Sequence, residues 1–222
     1  MLKEDLEIID LATVKAMKSL SFLSRDIIGY KDINKQTHGE IISLLEDSNK
    51  RKMIVVPRGS LKSSIACVAY PIWLLIRNPN LRILIDSEIY TNSKNFIREI
   101  KAHLESEVMT TLFGDFKGPT WSEGEIIIRQ RTKSSPQASI TAGGVETQKT
   151  GQHYDVIIMD DLNSPTNSNT QDGCEKVINH FRYNNSILDP NGIMVVIGTR
   201  YAANDLIGFI LDTQKHNYKK AI

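Results

Sequence analysis

Two short stretches hold the residues best suited to chemistry. The first is Pro57-Arg58-Gly59-Ser60-Leu61-Lys62-Ser63-Ser64, which separates an apolar run over 53–56 from another over 65–76. A buried strand, a tight loop and a Lys-Ser pair opening a helix form the layout of a phosphate-binding loop. Backbone N–H groups and the positive helix end face phosphate oxygens, Lys62 reaches the β- and γ-phosphates of ATP, and Ser63 takes Mg²⁺. The usual pattern has glycine where this chain carries Val56 and Leu61. Taken alone, the stretch also suits a basic turn before a buried helix.

The second stretch is Tyr154-Asp155-Val156-Ile157-Ile158-Met159-Asp160-Asp161, an apolar strand ending in two carboxylates. A parallel strand buried on both faces delivers its last residues to the sheet edge where nucleotides bind. One carboxylate, Asp160, can orient Mg²⁺, and the next, Asp161, can polarise an attacking water. Aspartates after a strand also cap helices, so this stretch too is ambiguous alone. Together, and in this order, the two stretches specify a P-loop NTPase. A third strand over 192–197 ends in Gly198-Thr199-Arg200-Tyr201, where a polar residue such as Thr199 can sense a γ-phosphate, with Arg200 beside it.

Other residues fit around this centre. Gln36 lies upstream of the loop, and its amide can donate and accept at adenine's edge. His38 is expected to serve a capping role. Phosphoryl transfer is commonly assisted by an arginine. Arg58 is placed to act in cis, Arg129 and Arg131 are candidates in trans, and Lys149 is an outside possibility.

The elements that must position these groups follow from hydrophobic spacing. The 222 residues, 41% of them hydrophobic, suffice for one substantial core. Residues 1–50 read as a helical lead-in, with an amphipathic helix over 4–23, an irregular stretch over 22–33 and a second helix around 41–45. Residues 51–222 read as the ATPase core: strands near 53–56, 81–86, 121–130, 139–144, 154–161 and 192–197, with helices at 65–76, 93–104, 175–186 and 202–211. The last residues, 217–222, look like a strand cut short, as if the chain were a fragment. The basic face Lys94, Arg98 and Lys101 is expected to be solvated, with DNA contact the minority reading. Net charge is +1, so nucleic-acid contact would rely on local patches. Cys67 and Cys174 stand in no metal-ligand spacing, and Cys67 reads as a buried hydrophobe. No run approaches the ~20 apolar residues of a membrane span, and no signal peptide is evident, which points to a reducing, cytosolic setting.

Across nearly its whole length the chain resembles the ATPase half of the large terminase subunit of tailed bacteriophages. The likeness is carried by residues 57–64, Ile83-Leu84-Ile85-Asp86-Ser87, Lys149-Thr150-Gly151-Gln152-His153-Tyr154-Asp155, Ile157-Ile158-Met159-Asp160-Asp161 and Ile197-Gly198-Thr199-Arg200-Tyr201. Phosphate loops of that family often read Pro-Arg-Gly-x-x-Lys-Ser, and Gly-Thr-Arg-Tyr matches its coupling motif. Many relatives have Asp-Glu where this chain has Asp160-Asp161, so the base would be one methylene shorter. The resemblance implies an α/β P-loop NTPase of the ASCE, RecA-like type, with a mainly parallel sheet flanked by helices on both faces. It implies Mg²⁺-ATP as the fuel and double-stranded DNA, a capsid portal protein and a small terminase subunit as partners. It also implies a homo-oligomeric ring when assembled and a monomer when alone, no membrane, and the host cytoplasm as location. The family's nuclease domain, of RNase H-like fold, has no counterpart here. A helicase-like or remodelling P-loop ATPase, and a weakly catalytic ATP-binding module, are the alternatives.

Overall fold

The computed structural model describes residues 3–147 and 151–221. In chain order the elements are α1 (Lys3–Lys18), α2 (Leu20–Phe22), α3 (Lys35–Glu46), β1 (Arg51–Val55), α4 (Tyr70–Arg77), β2 (Ile83–Ser87), α5 (Tyr90–Leu104), α6 (Glu107–Phe113), β3 (Lys117–Trp121), β4 (Glu125–Ile128), β5 (Ile140–Gly144), β6 (Tyr154–Asp160), α7 (Gln171–Ile187), β7 (Leu188–Gly198), α8 (Leu206–Thr213) and β8 (Lys219–Ala221). Eight strands form one sheet in the order β3-β4-β5-β2-β6-β7-β1-β8. All neighbours are parallel except β3 with β4 and β4 with β5.

Strand alternation divides the core between the two faces. Ile54, Ile85, Val156, Ile158, Val195 and Ile197 enter one cluster, with α3, α4 and α5. Met53, Leu84, Ile157, Met159, Met194 and Val196 enter the other, against α7 and α8. Successive side chains of a strand point to opposite faces, so near-continuous apolar runs are what a doubly covered parallel sheet requires. Among the described residues no helix is long and apolar enough to cross a membrane.

The structure departs from the hydrophobic pattern in four places. The strand expected over 121–130 is present as β4 over 125–128 only, and a strand not expected, β3, precedes it: Ser122 Oγ accepts from the backbone N–H groups of Gly124 and Glu125, turning the chain between the two. Pro119 is tolerated because β3 is the outermost strand, where a missing donor costs no ladder bond. Helix α6 was not evident from spacing; Ser106 caps its start, and Gly114 at φ 79° ends it. On α1, Leu6, Leu11 and Val14, apolar residues at the helical spacing that predicts the helix, are exposed. The helix buries a different stripe, through Ala16, and its neighbour Leu20 lies beyond a break capped by Ser19. Finally, the helix after the phosphate loop begins as a wide π turn over Ser64–Ala69. Pro71 has no N–H to give and its ring presses on the carbonyl four residues back, so the preceding turn opens.

The basic face of α5 is partly occupied. Lys94 pairs with Glu123 at 2.8 Å, and Lys101 donates to the Trp121 carbonyl at 3.1 Å, fastening the helix to the hairpin.

Lys52 has a structural role. It is fully buried, and its ammonium donates to the carbonyls of Leu44, Leu45 and Asp47 at 2.7, 2.7 and 2.6 Å, capping the C-terminal end of α3. Burial pulls its pKa down to about 8, which leaves it charged at neutral pH. Lys52→Met should leave these carbonyls without their donor and destabilise the fold by about 2–4 kcal/mol. Urea unfolding of both proteins checks this; an unchanged midpoint would contradict the capping role.

Candidate functional site

Register brings the three chemistry-bearing strand ends to one edge of the sheet. Val55 of β1 pairs with Gly198 of β7, and Ile197 of β7 pairs with Asp160 of β6. The phosphate loop, the paired aspartates and the Gly-Thr-Arg-Tyr turn therefore emerge side by side.

The loop takes its expected course without the missing glycine. Gly59 has φ 80° and Leu61 φ 52°, so a leucine occupies the left-handed conformation that glycine adopts more easily. Leu61 is partly buried against the core, which helps to hold it there. Ser60 Oγ donates to the Pro57 carbonyl at 2.7 Å and closes the loop. The residues from Arg58 to Ser64, together with Asp161, line a cavity of about 350 Å³.

Lys62 Nζ donates to the Val56 carbonyl at 3.2 Å and to Thr199 Oγ1 at 3.1 Å. Ser63 Oγ donates to Asp160 Oδ1 at 2.8 Å. Asp161 sits at φ 42°, an uncommon backbone for a non-glycine residue and one that aspartate tolerates. Its backbone N–H donates to the Ile197 carbonyl at 2.9 Å, and its Oδ1 is buried with no hydrogen-bond partner. A hydroxyl beside a carboxylate, with an unpaired carboxylate oxygen next to them, is an all-oxygen set that fits Mg²⁺.

Burial pushes the Asp160 carboxyl up from 3.8 to about 7; the bond from Ser63 and the charge of Lys62 oppose this, and the charge of Asp161 adds to it. Between about pH 4 and 7 the folded state therefore holds a proton that the unfolded chain has released, and stability falls as pH rises through that window. In metal-free protein, Asp160→Asn should change the urea midpoint little near pH 4 and raise it at about pH 8. A difference that does not grow with pH would contradict this.

Comparison with known proteins agrees with this geometry. No protein-family model matches the sequence. Over 137 residues the chain is 31% identical to the large terminase subunit of Enterobacteria phage T3, a match taking in 60% of this chain and 22% of that protein. The chain is thus similar, over 60% of its length, to a terminase large subunit, of which the match spans about a fifth. Its fold is also that of solved structures of Saccharomyces cerevisiae Dbp5 variants. In complex with Nup159, Gle1, IP6 and ADP, Dbp5 aligns with 95% of this chain at TM-score 0.55 and 12% identity; with Gle1 and IP6 it aligns with 96% at 0.50 and 12%. The chain spans about half of those chains, 52% and 50%. The RecA-like P-loop architecture expected from the sequence is the one observed.

The remaining candidates from the sequence lie apart from the cavity. Gln36 is exposed in the first turn of α3. Because α3 ends where β1 begins, its first turn lies back toward the loop's edge. His38 Nδ1 accepts the Asn34 backbone N–H at 3.2 Å, which is the capping arrangement. Arg200 turns onto the carbonyls of Ala202 and Ala203, each at 3.4 Å. Arg129 pairs with Asp115 at 2.7 Å, and Arg131 donates to the Gln137 carbonyl at 2.7 Å. Both follow β4, and four strands separate β4 from β1, a span of roughly 24 Å. Because β4 is antiparallel to β5, they also stand toward the opposite edge of the sheet. Neither reaches the loop of its own chain. Lys149 lies outside the described residues.

Three groups that hold the site were missed. Asn163 Oδ1 accepts the Leu206 backbone N–H at 3.0 Å, joining the segment after Asp161 to the start of α8. Glu88 accepts from Ser164 Oγ at 2.7 Å and Asn167 Nδ2 at 3.0 Å, fixing that same segment against the end of β2. Asp205, fully buried, accepts from the backbone of Tyr201, Ala202 and Gly208 at 2.8, 3.1 and 2.9 Å. An aspartate just before an apolar helix was the available signal for Asp205.

Proposed function

We propose that this terminase-like domain is the ATP-hydrolysing motor of a DNA-packaging terminase, coupling Mg²⁺-ATP hydrolysis to translocation of double-stranded DNA into a capsid. The observation that supports it is the meeting of Lys62 with Thr199 and of Ser63 with Asp160 on one sheet edge, in a chain similar to a terminase large subunit.

The backbone amides from Gly59 to Ser63 and the Lys62 ammonium bind the phosphates, Pro57 and Ser64 bracket the loop, and Gln36 reads adenine. Ser63 and Asp160 hold Mg²⁺, which when bound neutralises phosphate charge. Asp161, with its free buried oxygen, orients the attacking water. Arg58 supplies transition-state charge in cis, or Arg129 or Arg131 supplies it from a neighbouring subunit. Thr199 reports the nucleotide state. A γ-phosphate offers Lys62 a negatively charged acceptor in place of the neutral Thr199 hydroxyl, and the Coulomb attraction between the two charges favours it. Lys62 then leaves Thr199, and the turn leading into α8 is released. Double-stranded DNA, the portal protein and the small terminase subunit are the partners, met in the host cytoplasm by a ring of these subunits.

The paired aspartates test the chemistry. Asp160→Asn should weaken Mg²⁺-dependent ATP binding. Asp161→Asn should leave binding nearly intact and lower turnover by about 10²–10⁴-fold, the span usual for a positioned acid–base group. Swapped phenotypes would reverse the assignment, and an active Asp161→Glu variant would place Asp161 at the usual glutamate position. Wild-type protein that binds ATP with no turnover, with or without double-stranded DNA, would leave a binding module instead of a motor.

A further inference from the structure

The turn after β7 contacts both cations of the phosphate loop. Thr199 accepts from Lys62, and two residues later the Tyr201 hydroxyl accepts from Arg58 Nη2. The Arg58 guanidinium carbon also lies 5.6 Å from the centre of the Tyr201 ring, within cation–π range. Arg58 is otherwise exposed, lines the phosphate cavity, and extends from a loop whose neighbouring Gly59 has a left-handed backbone. A long exposed arginine samples many rotamers, so an arginine that must meet a developing charge benefits from being held beforehand.

Tyr201 is itself held. Asp205 accepts its backbone N–H and that of Ala202 through one oxygen, and caps α8 through the other. Asn163 ties the first residue of α8 to the segment that follows Asp161. The phenol is thus presented by a turn anchored at both ends.

We infer that Tyr201 is a positioning residue for Arg58, holding its guanidinium at the mouth of the nucleotide cavity so that its remaining N–H groups face the terminal phosphate. This rests on the phosphate-loop reading above and adds to it the residue that orients the arginine. Only one Arg58 nitrogen is bonded to the hydroxyl, and the fork keeps other donors for a phosphate oxygen. Freed from Tyr201, Arg58 must be ordered by the nucleotide itself. One rotamer-rich side chain costs an amount equivalent to about 2–10-fold in affinity.

The test is a double-mutant cycle read by binding of fluorescent AMP-PNP and fluorescent ADP with Mg²⁺, using wild type, Tyr201→Phe, Arg58→Ala and the double variant of the full chain. Tyr201→Phe keeps the ring and removes only the hydroxyl, so folding is not at stake. It should weaken AMP-PNP about 2–10-fold, change ADP binding by less, and have no further effect when Arg58 is already alanine. No change on Tyr201→Phe, equal weakening of both nucleotides, or the same loss in the Arg58→Ala background would overturn the inference. Wild-type protein that binds neither nucleotide would overturn the phosphate-loop reading itself, and this inference with it.

Discussion

Turnover per subunit is expected to rise with protein concentration, from a slow rate in dilute protein. Among the described residues, the cations lining the phosphate cavity are Lys62 and Arg58; Arg129 and Arg131 stand several strands away and toward the far edge of the sheet. If either of the latter completes the site, a neighbouring subunit must bring it. An arginine supplied this way is worth ~10³–10⁵ in rate in related phosphoryl-transfer enzymes. With a net charge of +1, electrostatics neither drives nor forbids self-association, so dilute protein should be mostly monomeric and slow. The rate per subunit, followed over a wide concentration range with and without double-stranded DNA, decides between the two sources of charge. A steep rise favours the trans arginine. A fast rate that stays flat down to monomeric concentrations would remove it and leave Arg58, oriented by Tyr201, as the source.

The sequence made the sheet legible because its central strands are buried on both faces and read as near-continuous apolar runs. Met53-Ile54, Ile83-Leu84-Ile85 and Val156-Ile157-Ile158-Met159 all lie in strands where expected. The peripheral pieces were less legible. In the β3–β4 hairpin only Ile126-Ile127-Ile128 is a continuous apolar run; β3 carries Lys, Gly, Pro and Thr before Trp121, so its pairing has no apolar pattern to announce it. The helix α1 is where its apolar spacing places it, yet Leu6, Leu11 and Val14 on it are exposed, since periodicity gives a stripe but not what covers it.

At the site, residue types were visible and the contacts holding them were not. The absent glycine at position 61 counted against a phosphate loop by pattern, yet a backbone angle of φ 52° shows leucine adopting the same turn. Lys52 carries no signal of its role in the sequence, because its three carbonyl partners come from the end of the preceding helix. Asn163 and Asp205 work through backbone N–H groups of a turn and a helix start, and that geometry has no sequence signature beyond the capping position. Thr199 was legible by its place after a strand, whereas the bond from Lys62 that gives it a partner spans 137 positions.

Lys62 carries the central claim, and one substitution addresses it. Its ammonium is the full charge at the centre of the loop, on a residue 5% exposed, and among the described residues its partners are the Val56 carbonyl and the Thr199 hydroxyl. Removing it should therefore cost the fold no more than about two hydrogen bonds to neutral acceptors, while the phosphates lose a charged donor whose interaction strengthens as negative charge develops. The measurement is Mg²⁺-ATP turnover by Lys62→Ala beside wild type, with urea midpoints taken on the same samples. Turnover is expected to drop by at least about 10²-fold with the cooperative unfolding transition retained. Hydrolysis by Lys62→Ala at the wild-type rate would contradict the assignment of residues 57–64 as a phosphate loop, and with it the motor function proposed for the chain.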